Sequence, residues 1–482
     1  MAGFRSYGAY VPLHRIDRAE FNRAWGGFPL PGERSVASYD EDSMTMAVEA
    51  AIDCLRGFDA KSVDGLYFAT TTSPYKERLC ASIIAAALDM RSDIRVMDTT
   101  GTLRAGTIAI GAALDAVNAG GADSVLVVVA DCRMGAPAGT LEQALGDGAA
   151  ALLVVRDGAA VEVRDSYSIS DDFSGMWRAD QDQFVRSWED RMAHDVGYSA
   201  VLPRAMIGVM EKCGLSSDDV SKVVYDSPTD MRRHLRIAGE LKIPPAKVQD
   251  SMFLTVGNTG SALASMMLVA ALEEAKAGDT ILFASHGNGA DAFVLDVTPA
   301  IEAVGQRRAI ARHLESKRMV KNYETYLRWR DLVTLEAAQR PPKPPTSLAA
   351  LWRSGKDILC LYGVRCLNCG TPQYSTPTVF GGGNPTRVCV SCRAKDQFEP
   401  YCFADKKGTI CTFTLDHLAA SPDPPAAVSV IDFEGGGRAV FEMTDRDPDR
   451  ITVGMPLEMT FRKLYTDRGI HNYYWKTRPV RC

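Results

Sequence analysis

The stretch DTTGTLRAGTIAI, Asp98 to Ile110, decides how the rest of the chain is read. It follows an alternating apolar run through Ile94 and Val96 and leads into a small-residue segment, Ala105 to Ala116, so it predicts a strand, a tight turn at Gly101 and a buried helix. Such an elbow lifts one side chain above a helix N-terminus, where backbone N–H groups and the helix dipole favour developing negative charge. In nucleophilic enzymes that side chain is Ser or Cys. Here the residue ahead of Arg104-Ala105-Gly106-Thr107 is Leu103.

Working outward, residues 1–297 alternate short apolar runs with Ala-rich helical patterns, which predicts an α/β fold. Three pairs of segments repeat at a spacing of about 155 to 160 residues. Val63–Thr70 resembles Val220–Ser227, Arg95–Ile110 resembles Phe253–Met266, and Ala122–Asp131 resembles Gly278–Gly287. Two copies of one α/β unit are therefore expected, their sheets face to face and their catalytic loops meeting at the seam. Asp171–Tyr198 between them, acidic and Trp-containing, reads as a loop plus helix over the pocket mouth.

After Val297 the composition changes. A basic, helix-forming connection from Arg307 to Arg330 reads as a solvated face, and the proline-rich PPKPP follows at Pro341–Pro345. Cys366 and Cys369 form one C-x2-C knuckle, and Cys389 and Cys392 form a second after nineteen intervening residues. Two such knuckles close a tetrahedral four-thiolate site, so a structural zinc ion is expected. From Tyr401 to Arg481, alternating segments divided by Pro, Gly and Asp predict a small Greek-key barrel of about five strands.

The 482 residues carry 54 basic and 60 acidic side chains, a net charge of −6, which argues against nucleic acid as the main partner. Of twelve cysteines, eight stand singly outside the two knuckles, a reduced pattern and not a secreted disulfide framework. No basic leader and no run of 18 apolar residues is visible, so a soluble cytoplasmic protein without a membrane partner is expected.

With these motifs in hand, residues 1–297 resemble the thiolase superfamily, most closely its 3-hydroxy-3-methylglutaryl-CoA synthase branch. The resemblance rests on SPYKERLCASIIAAAL (Ser73–Leu88), LRAGT (Leu103–Thr107), Trp177-Arg178, MEKCGLSSDDV (Met210–Val220), GNTGSA (Gly257–Ala262) and SHGNGADAF (Ser285–Phe293). Residues from about 320 onward resemble the acyl-CoA-binding zinc-ribbon plus OB-fold proteins (DUF35) that accompany such enzymes. The resemblance implies a thiolase fold of duplicated αβαβα halves at 1–165 and 166–300. It places a basic helical linker at 301–358, a rubredoxin-like zinc ribbon at 359–398 and an OB-fold barrel at 399–482. It also implies coenzyme A as part of the substrate, partner enzymes in the same pathway, and a homodimer or dimer of dimers through the run near Val125–Val129.

The family's three catalytic groups are all replaced. Its nucleophilic Cys falls on Leu103, its general-acid Glu on Thr71, and its His on Asp226; the Asn of its GNT motif remains as Asn258. Leucine cannot attack a thioester, so a reaction without a covalent acyl intermediate is expected: aldol addition to, or retro-aldol cleavage of, a β-hydroxyacyl-CoA. Asp226 is the candidate base, Asn258 the candidate donor to the thioester or reacting carbonyl oxygen, and His286 a candidate proton shuttle. Tyr225 is a further catalytic candidate. Leu103, Arg104, Thr71, Trp177 and Arg178 are candidate substrate-binding residues. A synthase-like acyltransferase and an inactive acyl-CoA-binding scaffold are the alternatives.

Overall fold

The computed structural model describes residues 1–173, 175–227, 231–336, 345–375 and 386–481. The chain divides into two compact units, the first formed by Met1–Ala37, Asp42–Ala85 and Met90–Tyr326 and the second by Ser38–Glu41, Ala86–Asp89 and Leu327–Cys482.

The first unit is built on nine hydrogen-bonded strands: β1 (Gly3–Tyr10), β2 (Gly65–Ala69), β3 (Arg95–Thr99), β4 (Ser124–Cys132), β5 (Asp147–Val155), β6 (Val161–Ser170), β7 (Lys222–Tyr225), β8 (Thr280–His286) and β9 (Gly289–Val297). Their order is β7-β8-β9-β6-β1-β5-β4-β2-β3. The repeated segments take equivalent places. Val63–Thr70 carries β2, parallel to β4, and Val220–Ser227 carries β7, parallel to β8. The two elbow segments lead into the paired helices α2 (Ala105–Asn118) and α5 (Leu263–Glu274), while α1 (Ser43–Cys54), α3 (Ser199–Cys213) and α4 (Met231–Glu240) complete the helices that frame the sheet.

The expectation of directly apposed sheets is corrected in one respect. Ala105, Ala109, Ala113, Ala264 and Ala271 of α2 and α5 are buried in one core with Val127 and Val129 of β4 and with Phe283 and Phe293 of β8 and β9. The two helices therefore stand in the seam between the half-sheets, and their small side chains let the layers close over them. The half-sheets also join at an edge, where β1 pairs with β6 at Gly3–Glu162 and Phe4–Val161.

Two further expectations change. The run Val125–Val129 is at most 1% exposed and sits in β4, hydrogen-bonded to β2 on one side and β5 on the other, so it has no free edge to offer a second copy. Of the two strands that end the order, β7 is largely buried and β3 is partly exposed. The basic connection is not one solvated helix: Arg318–Met319 pairs with His14–Arg15, and the buried Tyr323 donates its hydroxyl to Glu142 at 2.6 Å, so residues 301–326 belong to the first unit. Asp147 is fully buried, and a Cβ at the neighbouring Gly146 would lie 2.1 Å from the Val256 carbonyl oxygen. In the proline-rich run, residues 341–344 lie outside the described residues.

In the second unit, β10 (Tyr362–Cys366), β11 (Pro372–Gln373) and β12 (Phe398–Cys402) form a small antiparallel sheet. Five strands then close a barrel: β13 (Gly408–Asp416), β14 (Ala426–Phe433), β15 (Arg438–Met443), β16 (Pro456–Asp467) and β17 (Ile470–Pro479), in the order β13-β14-β15-β17-β16. Their alternating pattern turns Ile431, Phe441, Phe461 and Trp475 inward. Among the described residues no helix is long and apolar enough to cross a membrane.

Because the carbonyl that a Gly146 side chain would strike is backbone, Gly146→Ala is expected to destabilise the first unit by about 2 kcal/mol or more. The check is the urea midpoint, read against Gly111→Ala in α2, where the backbone is ordinary helix and an added Cβ meets nothing within 4 Å.

Candidate active site

The elbow ahead of α2 forms as the sequence predicts, with Gly101 at φ +86° and Leu103 half-buried in the turn that starts the helix. What holds it crosses between the duplicated halves. Thr102 Oγ1 and Arg104 Nε each donate to the Gly287 carbonyl at 2.9 Å, and Arg104 Nη1 meets Asp291 Oδ1 at 2.6 Å. Thr107 donates to the other Asp291 oxygen at 2.7 Å. A Cβ at Gly287 would come within 2.8 Å of the Arg104 amide nitrogen, so only glycine fits. Arg104 is thus engaged as a clamp between the α2 elbow and the β8–β9 turn.

That clamp brings the catalytic candidates together. Asp226, at the C-terminal end of β7, accepts the His286 backbone N–H on Oδ1 at 2.8 Å. Burial pushes its carboxyl up to about 7, against the lowering effect of that hydrogen bond. In the folded protein this group therefore holds its proton more tightly than in the unfolded chain. Its contribution to stability is complete below the ordinary carboxylate range and is lost as pH rises through about 7. Burial lowers the His286 imidazole to about 4, with His194 and Arg104 adding to the effect, so the ring is neutral at neutral pH.

Asn258 sits in the second elbow. Its Oδ1 accepts the Gly260 N–H at 2.9 Å and its Nδ2 donates to the Ser227 carbonyl at 3.3 Å, an amide orientation assigned from this network. Gly146 supports the elbow by donating its N–H to the Asn258 carbonyl at 2.9 Å. Asp226, Asn258 and His286 thus lie on three neighbouring turns.

Tyr225 is not part of this group. It is fully buried, donates its hydroxyl to the His234 carbonyl at 2.5 Å and packs its ring, tilted, against the His234 ring at 4.4 Å, so it anchors α4. The tyrosine at the site is Tyr198, which the sequence reading missed. Its hydroxyl donates to the Asp226 carbonyl at 2.8 Å, and its ring meets His286 edge-on at 5.5 Å. Tyr198 closes the Asp171–Tyr198 insertion, whose remaining described residues form a two-stranded hairpin, Met176–Trp177 with Arg186–Ser187, and then helical turns running into α3. Position 174 lies outside the described residues.

Thr71 is fixed by a carboxylate that sequence reasoning also missed. Asp131, fully buried at the end of β4, accepts from Thr70 Oγ1, Thr71 N, Thr71 Oγ1, Thr72 Oγ1, Ser261 N and Ser261 Oγ, all at 2.7–3.0 Å. Six donors around one buried carboxylate tie the loop after β2 to the second elbow. The only sequence signal was the acid at the end of an otherwise apolar strand. Arg178 reaches over from the hairpin to donate to the Thr71 carbonyl at 2.6 Å, and Trp177, partly exposed, lies 6.3 Å from the Trp188 ring.

In the second unit Cys366, Cys369, Cys389 and Cys392 converge, their Sγ atoms all within 4.8 Å of one another, a set that could hold a metal ion. The Cys366–Cys392 and Cys369–Cys389 sulfur separations are 3.6 and 3.5 Å. They are close to the ~3.8 Å edge of a tetrahedron with metal–sulfur bonds of about 2.3 Å.

Known proteins share this framework. The family model for the C-terminal region of 3-oxoacyl-[acyl-carrier-protein] synthase III matches residues 210–295, and that for the C-terminal OB-fold domain of ChsH2 matches residues 403–462. A hydroxymethylglutaryl-CoA synthase of Pyrobaculum arsenaticum is 32% identical over 347 residues, covering 69% of this chain and 99% of that protein. One from Pyrococcus furiosus is 33% identical over 340 residues, covering 68% and 95%. The crystal structure of an HMG-CoA synthase complexed with CoA superposes with a TM-score of 0.63 at 19% identity, covering 72% of this chain and 94% of that one.

Asp131→Asn places an amide donor against a shell of donors. It is expected to lower the stability of the first unit by about 3 kcal/mol or more, because hydrogen bonds to a buried charged group are worth about 1.5–3 kcal/mol each. Urea unfolding of the variant tests this; an unchanged midpoint contradicts it.

Proposed function

The chain belongs to the hydroxymethylglutaryl-CoA synthase family, and from that premise we propose that it makes or breaks a carbon–carbon bond in a β-hydroxyacyl-CoA by aldol chemistry without an acyl-enzyme. The observation that carries this reading is Leu103 at the elbow where a thiolate would have to stand. An alkyl side chain forms no thioester, whereas Asp226, Asn258 and His286 offer the polar groups that a non-covalent route requires.

In the cleavage direction Asp226 takes the proton of the β-hydroxyl. The carbonyl forms as the Cα–Cβ bond breaks, and the electron pair passes to the thioester enolate, which is then protonated at carbon. A carboxyl held near 7 suits that step, since it is partly ionised at neutral pH and more basic than an ordinary carboxylate. Asn258 Nδ2 and the neutral His286 ring supply donors to the oxygens on which charge collects. The same groups run in reverse add the enolate to a carbonyl compound. Thr71 and Trp177 line the substrate path in this reading, with Arg104 and Arg178 holding its walls. Homodimerisation is assigned to the free edge at β3.

We also assign zinc to the four-cysteine cluster, in a structural role. All four ligands are protein thiols, which leaves no open position for substrate.

Three outcomes test these assignments. Incubated with β-hydroxyacyl-CoAs that include tertiary alcohols, the protein is expected to release a shorter acyl-CoA and a ketone or aldehyde, even after alkylation of accessible cysteines. The rate is expected to rise with pH through an inflection near 7, and Asp226→Asn should lose at least about a hundredfold in kcat. Absence of turnover alongside tight acyl-CoA binding supports the scaffold reading instead. Metal analysis should find one zinc per chain, and Cys389→Ser should lose it.

A further inference from the structure

The two halves of the first unit are finished differently at the edges of their sheets. In the strand order β1 lies beyond β5 as β6 lies beyond β9. The far edge of β1 is closed by the chain itself: the Ala9 N–H donates to Asp53 Oδ2 at 3.4 Å, and the Ala9 carbonyl accepts from His313 Nε2 at 3.2 Å. β6 is covered only at its start. There β1 reaches Val161 and Glu162, and among the described residues no strand pairs with Arg164–Ser170 on that side.

The backbone groups of this edge can be assigned by alternation. The Asp171 N–H donates to the Asn288 carbonyl, so in the antiparallel β6–β9 pairing Tyr167 and Ile169 turn their backbone groups toward β9, and Ser166, Ser168 and Ser170 turn theirs outward. Ser166 is guarded: its N–H donates to Asp165 Oδ1 at 2.8 Å and its carbonyl accepts from Lys212 Nζ at 3.3 Å. Ser168 and Ser170 have no such guard among the described residues, and an edge of that kind is a template for another strand.

Beside the edge, β6 and α3 form a groove lined by Tyr167, Ile169, Arg204, Ile207 and Glu211. Tyr167 and Ile207 are 42% and 41% exposed. The Tyr167 ring lies against Gly208, where a Cβ would come within 2.7 Å of it, so the middle of the open edge and the middle of this helix face stand at one level. Arg204 and Glu211 are exposed and form no ion pair among the described residues. They lie two helical turns apart, on either side of Ile207 and Gly208. A two-fold axis normal to the sheet beside Ser168 therefore sets Arg204 of each copy against Glu211 of the other, with the apolar side chains between them. The face is complementary to itself in charge.

We propose that the β6 edge and the α3 face together bind a second copy of this chain, β6 adding antiparallel to β6 and α3 packing against α3. The surface is separate from the β3 edge and independent of the aldol reading.

The test measures the mass of the full chain by light scattering. Glu211→Arg places arginine against arginine at both ends of the interface and is expected to halve the mass of the assembly, because like charges brought together oppose docking. Arg204→Glu should do the same. The double variant R204E/E211R exchanges the charges and should restore the wild-type mass, as should mixing the two single variants. Both positions are exposed, so an unchanged urea midpoint is expected to show that each single variant is folded. A wild-type monomer overturns the proposal, as does a single variant that keeps the wild-type mass or a charge exchange that fails to restore it. A fall from tetramer to dimer leaves the β3 edge as the other interface, whereas a fall from dimer to monomer retains this surface and removes the assignment at β3.

Discussion

The architecture of the candidate site depends on one buried carboxylate. Asp131 ends a strand of the first half and gathers six donors, two of them from Ser261 at the elbow of the second half. A buried charge is tolerated only when it is fully hydrogen-bonded, so these donors have little freedom to rearrange. The loop carrying Thr71 and the elbow carrying Asn258 are thereby held in one mutual arrangement. A second crossing, Arg104 with Asp291 and the Gly287 carbonyl, fixes the α2 elbow against the turn after His286. Between them, the two crossings make a duplicated fold into one site.

Within that frame, chemistry is set by what each turn carries. Leu103 gives the first elbow an alkyl side chain, which forms no thioester. Burial lifts the Asp226 carboxyl to about 7, which in the proposed reaction supplies a base matched to neutral pH. The same burial keeps His286 neutral, which favours hydrogen-bond donation over charge. Tyr198 ties the insertion to the Asp226 loop through its hydroxyl.

Much of this was legible in the sequence because it depends on local periodicity and on spacing along the chain. The Asp98–Ile110 elbow, its counterpart at Phe253–Met266, the two cysteine knuckles and the alternating barrel strands all announce themselves in this way. What was not legible depends on contacts between distant residues. Asp131 looks like the polar end of an apolar strand, and nothing local reveals the six donors that gather on it. Tyr225 and Tyr198 could not be ranked without knowing that β7 turns the first toward α4. The place of the run Val125–Val129 within the sheet was not legible, because a buried interior strand and an edge strand can carry the same run of valines.

Intact-protein mass spectrometry during a single turnover tests the central claim most directly, since it reads whether carbon–carbon chemistry proceeds without an acyl-enzyme. With a cleavable β-hydroxyacyl-CoA and quenching before completion, the account predicts that shorter acyl-CoA accumulates while the protein keeps its unmodified mass at every time point. A mass increment equal to an acyl group, appearing and decaying at the rate of turnover, would contradict it.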